Sequence, residues 1–138
     1  MTVDAQQDIS AQPEGSFSVF ASAARTASPD TQQFHIVGRR SDYDGLVLVV
    51  DCTVAGVLGF TVTVMGLDEV SGKTWTVLTS ATLGLASGGV ATTVLRVGPL
   101  VPKVTNLTAQ DYVPPIFQVA VTHLDAVTST YSVGGWLA

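Results

Sequence analysis

Charge is scarce in this chain. Asp, Glu, Lys and Arg together make up 12% of its 138 residues, about half the share found in an average soluble domain. The net charge is -5, with six Lys and Arg against eleven Asp and Glu. That balance excludes a nucleic-acid groove, which needs clustered cations to displace counterions. Cys52 is the only cysteine, so no intrachain disulfide forms and the thiol is expected to be buried on a strand. No apolar run approaches the roughly 18 residues of a membrane helix. The opening "MTVDAQQDIS" has no basic segment followed by an apolar one, so synthesis in a cytoplasm is expected.

The catalytic inventory is equally thin. His35 and His123 are the only imidazoles, and each falls inside a strand pattern, where packing on the sheet is the expected role. Nothing beside Cys52 in sequence would activate its thiol. Two His and one Cys without a close-spaced pair do not make a zinc site. "SDYDG" begins like a calcium loop but lacks the later oxygen ligands, so Asp42 and Asp44 read as turn residues. Asp68 and Glu69 are adjacent carboxylates in a loop and do not flank a cleft. "NLT" at 106–108 fits a glycosylation sequon, which carries little meaning without a secretion signal. No enzyme activity, metal or cofactor is expected.

"GLDEVSGKTW" contains Gly-Lys-Thr, as a phosphate-binding loop does. That loop needs its first glycine five residues before the second and a helix after the Lys-Thr. Gly66 lies one residue too far from Gly72, and "TWTVLT" is β-branched and aromatic, which favours a strand. The segment therefore reads as a hairpin, with "DEVSGK" as its loop.

Hydrophobic spacing makes the rest of the chain a succession of short strands. "GFTVTVMG" alternates, with Phe60, Val62 and Val64 facing one way. "GLVLVVDCTVAG" is nearly continuous and marks the core strand. "SFSVFA", "QQFHIVGRR", "TWTVLTSATL", "GVATTVLRVG", "PPIFQVAVTHL" and "STYSVGGWLA" complete about eight strands, at the turn spacing of a sandwich or barrel. Trp75, Val77 and Thr79 are expected on one face, and "TAQDY" as one helical turn. The fold class is all-β: a single β-sandwich, Greek-key or related, over residues 16–138. Residues 1–15, polar and without periodicity, are expected to be a flexible N-terminal arm.

Four phrases, "VMGLDEVSGKTWTVLTSATL", "TTVLRVGP", "DYVPPIFQVAVTH" and "TYSVGGWL", in this order and spacing, resemble small β-rich virion proteins of tailed bacteriophages, described as head decoration or minor capsid proteins. The resemblance runs from Gly45 to Ala138. It departs from the family at Ile116, which follows Pro114 and Pro115 where a basic residue is often found. The resemblance implies a non-enzymatic protein on the outer surface of the virion capsid, bound to the major capsid protein where subunits meet, often as a homotrimer. The sparse charge agrees with a surface partly covered by other copies or by another protein.

Contacts with the capsid are expected in the N-terminal third, at Ile9, Phe17, Phe20, Arg39 and Arg40, because an apolar anchor rimmed by Arg is a common interface composition. Deleting residues 1–15 is then expected to weaken particle binding and spare the fold. Two other readings stay open. One is a tail, neck or baseplate component. The other is a carbohydrate-binding adhesive module, for which Trp75, Trp136, Tyr43, Tyr112 and Tyr131 supply aromatics, although aromatics spaced singly along strands usually serve packing.

Overall fold

The computed structural model describes residues 3–11, 15–86 and 90–138. Within them the chain forms two packed five-stranded sheets, the β-sandwich expected from its alternating segments. One sheet has the order β1(Gln7–Ser10), β3(Gln32–Val37), β9(Ile116–His123), β5(Phe60–Leu67), β6(Thr74–Thr79). The other has β2(Phe17–Arg25), β10(Ser129–Leu137), β4(Leu46–Val54), β7(Ala91–Val97), β8(Thr108–Ala109). Only the β5–β6 hairpin and the β7–β8 link stay within a sheet; every other connection crosses to the opposite one.

Alternation sets the core. Phe60, Val62 and Val64 of β5 are buried while Thr61, Thr63 and Met65 are half-buried, because successive side chains leave a strand on opposite faces. β4 is the middle strand of its sheet, with Leu46, Leu48, Val50 and Cys52 inward. Its continuous apolar run does not mean cover on both faces, since Val47 and Val49 are only half-buried on the outside. From β9 come Phe117, Val119 and Val121, and from β10 Tyr131 and Val133.

Register shifts in two strand pairs alter the expected faces. β2 and β10 shift register between Tyr131 and Val133 and again between Val133 and Gly134. A bulge resets which face a side chain takes, so both Val19 and Phe20 are buried. A third shift, between Val64 and Met65, pairs Val64 with Leu78 and Gly66 with Trp75. Leu78 is therefore the buried residue of β6, and the common face expected for Trp75, Val77 and Thr79 is broken.

Ten strands replace the eight expected. One addition is β8, where "TAQDY" gives a short strand parallel to β7 instead of a helical turn; the one helical turn among the described residues is the 3-10 turn Arg40–Asp42. The other addition is β1. Residues 3–11 are not a free arm: β1 runs parallel to β3, Asp4 N–H donates to the Thr31 carbonyl at 2.8 Å and Ala11 N–H to that of Val37 at 2.7 Å. An amide ladder binds the layer together. Gln118 Nε2 donates to Gln33 Oε1 at 2.8 Å, and Gln33 Nε2 donates to Gln6 Oε1 at 2.9 Å. Deleting residues 1–15 would thus remove an edge strand and uncover β3. Residues 12–14 of the expected arm lie outside the described residues.

Candidate functional site

The groups that sequence reading singled out for chemistry are used in structure. At the hairpin tip, Asp68 accepts from the N–H of Val70 at 3.2 Å and from the Ser71 hydroxyl at 2.7 Å. The Ser71 hydroxyl and the Val70 amide hold its carboxyl below the usual carboxylate range. The amides that a phosphate would need thus face a carboxylate, and the strand β6 follows instead of a helix. Gly72, at φ 72°, and Lys73 lead out of the turn at 69–71, and Thr74 is already the first residue of β6.

Cys52 Sγ donates to the Val54 carbonyl at 3.5 Å, and burial pushes the thiol up. His35 pairs with Asp8 at 3.4 Å across β1 and β3. His123 lies against Phe60 and bonds the Tyr131 hydroxyl through Nε2 at 2.8 Å. Among the described residues no group of three or more His, Cys, Asp or Glu is placed to hold a metal.

Burial lowers the His123 pKa, and the Arg25 guanidinium lowers it further against a weaker opposing pull from Asp125. The unfolded chain therefore binds its proton at a higher pH than the folded one. Stability is full above about 6.5, where the ring is neutral in both states, falls as pH drops through that value, and levels below the depressed native pKa. His123→Gln, which keeps an acceptor for Tyr131, should flatten the fall in Tm between about pH 7.5 and 5. An unchanged slope in the variant would refute this account.

The five residues expected to contact a capsid are not gathered into one exposed patch. Phe20 is buried at 6% exposure beneath the Arg25 guanidinium, 5.7 Å from its ring centroid. Phe17 is half-buried and meets Phe34 at 5.1 Å, while Ile9 is packed against the core from β1. These three serve packing because both bulged β2 and the docked β1 turn them inward. Arg39 is exposed, and the side chain of Arg40 lies outside the described ones.

Two other surfaces stand out, at opposite ends of the sandwich. At the end where β4 finishes and β5 begins, the loops at 55–59, 81–86 and 124–128 are tied together. Leu124 N–H donates to the Gly59 carbonyl at 3.0 Å, and Ala86 N–H to that of Val57 at 3.3 Å. Val54, Val57, Leu58, Leu85, Leu124 and Val127 remain 39–52% exposed there. Asp125 is turned back into the loops, accepting from Leu58 N–H at 2.9 Å and Val127 N–H at 3.2 Å. Large hydrophobics exposed together on loops at one end make this a candidate interaction surface.

At the other end, Trp75, Tyr43 and Tyr112 surround a hollow of about 420 Å³ with Ile36, Pro114 and Pro115. Asp111 sits on its rim and also borders a neighbouring hollow of about 410 Å³. No protein-family model matches this chain, and no curated protein matches it either. Loop residues carry no periodicity, so Leu58 and Leu124 have no signal in the sequence.

Proposed function

We propose that the chain is a non-enzymatic structural protein of a tailed-phage virion, a decoration protein that binds the outside of the assembled head and ties neighbouring capsid subunits together. The observation that carries the reading in the structure is the apolar loop end, with six large hydrophobics half-exposed and its one loop carboxylate, Asp125, engaged by backbone amides. The sequence resemblance supplies the partner, the major capsid protein, and the homotrimeric state. A compact sandwich with sparse charge and an apolar end suits a clamp. Binding the assembled shell and not free subunits stabilises the shell by mass action, and repeated contacts reinforce one another through effective concentration.

The test is quantitative mass spectrometry of purified particles against the major capsid protein. A ratio of the same order as the capsid subunit supports the reading. A few copies per particle would instead mean a tail, neck or baseplate position, and absence would overturn a virion role. A Leu58→Asp, Leu124→Asp double variant should lose at least about tenfold in particle affinity, since a charge placed in an apolar interface is left unpaired. Its Tm should stay close to that of the parent chain because both positions are solvent-exposed.

A further inference from the structure

We propose that the aromatic hollow and its polar neighbour form one groove that binds a neutral oligosaccharide, whether or not a capsid is the main partner. The platform is Trp75. It stands opposite Gly66 on the paired strands, and a Cβ on Gly66 would lie 2.3–2.7 Å from three atoms of the indole. The ring therefore rests on bare backbone and is fixed in place, yet stays 47% exposed. Tyr112, 68% exposed, adds a second aromatic surface, and buried Tyr43 closes the floor.

A pyranose has an apolar C–H face and a rim of hydroxyls, and the groove offers a match for each. Rigid aromatic faces take the C–H surface at little entropic cost. Asp111 Oδ1 accepts the Tyr112 N–H at 2.7 Å, and the carboxylate, which borders both hollows, has further acceptor capacity for a ligand hydroxyl. Beyond Asp111, the second hollow is bordered by Thr76, Thr105, Asn106 and Gln110, hydroxyl and amide groups that suit the rim of the next sugar. A proline-rich peptide would also fit an aromatic groove, but prolines offer carbonyl acceptors and no N–H donors, so the acceptor oxygens of Asp111, Asn106 and Gln110 would be covered without a donor, which is unfavourable. Lys103 and Asp111 both border the second hollow, so their charges offset one another there, and with the net charge of -5 the groove favours a neutral ligand over a sulfated or carboxylated one. Two hollows near 400 Å³ each lie within the usual range of ligand sites.

The experiment uses the full chain with Trp136→Phe, so that Trp75 is the one remaining indole, titrated with chitotetraose, cellotetraose and maltotetraose. Fluorescence and calorimetry should show saturable binding of at least one, with Kd on the order of 1 mM. Trp75→Ala should abolish it. Because Trp75 also covers Gly66, the exposed-site variants Tyr112→Ala and Asp111→Asn carry the test with the fold intact; each should weaken binding about tenfold, as expected for a contact near the centre of a small site. No saturable signal with any of the three sugars, or binding that both variants leave unchanged, overturns the proposal. So does capture of a proline-rich decapeptide in place of sugar.

Discussion

Tyr131→Ala is expected to lower the unfolding free energy by about 3–5 kcal/mol, the range for removing a large aromatic from a core. The side chain is fully buried and holds three neighbours at once. Its ring stacks on Phe60 at 4.3 Å between centroids, Arg25 lies over it at 4.7 Å, and its hydroxyl meets His123. Truncation leaves a cavity, an unpartnered His123 nitrogen, and a guanidinium whose bonds to the carbonyls of Tyr131, Ala23 and Ala21 lose their packed backing. Against a total stability of about 5–15 kcal/mol, that leaves a marginal fold. Tyr131→Phe separates the contributions. It keeps the packing and removes only the hydroxyl, so it should cost about 1–2 kcal/mol. Denaturant unfolding of the two variants decides the matter, and equal losses would show that the ring is not the main contribution.

The same residue predicts alkaline behaviour. Burial pushes the Tyr131 hydroxyl up to about 12, whereas an unfolded tyrosine ionises near 10. The folded state therefore holds its proton where the unfolded state has lost it, and stability declines as pH rises from about 10 to 12. Tyr131→Phe should remove that part of the decline.

Eight of the ten strands were legible, several because they bury one face and so alternate, as Phe60 to Met65 do, and β9 as a run buried without interruption from Ile116 to Val121. β1 was not, since three of its four side chains are exposed and a polar strand carries no hydrophobic signal; what holds it is parallel backbone pairing and the glutamine ladder. β8 has only two residues, too few for any period. Bulges defeated face assignment at Phe20 and Trp75, because a one-residue shift in register swaps the faces. The aromatic groove shows a different kind of loss. Tyr43, Trp75 and Tyr112 come from three separate segments and are brought together by crossings between the sheets, which spacing along the chain does not encode. Their residue types raised a sugar platform as one reading, but only the pairing of Trp75 with Gly66 distinguishes a fixed, open indole from a packed one.

Gly59→Val is expected to be the second severe lesion, and to act on both fold and proposed interface. Gly59 adopts φ +80°, a conformation that β-branched side chains rarely reach, and a Cβ there would lie 2.0 Å from the Leu83 carbonyl oxygen. That oxygen accepts from Phe60 N–H at 2.9 Å, and Leu83 N–H returns a bond to the Phe60 carbonyl at 2.8 Å. Accommodating valine therefore means breaking the bridge that holds the 81–86 loop against the start of β5. Strain and the lost bonds together should destabilise by about 3–4 kcal/mol. Because the Gly59 carbonyl also anchors Leu124, the loops that carry Leu58, Leu85 and Leu124 should loosen together. Amide hydrogen exchange would then show lost protection across 55–59, 81–86 and 124–128, with particle binding reduced at temperatures where the sandwich is still folded. A variant that loses less than about 1 kcal/mol would mean that the loops rearrange freely, and an apolar end that rearranges freely would be a poor template for a clamp.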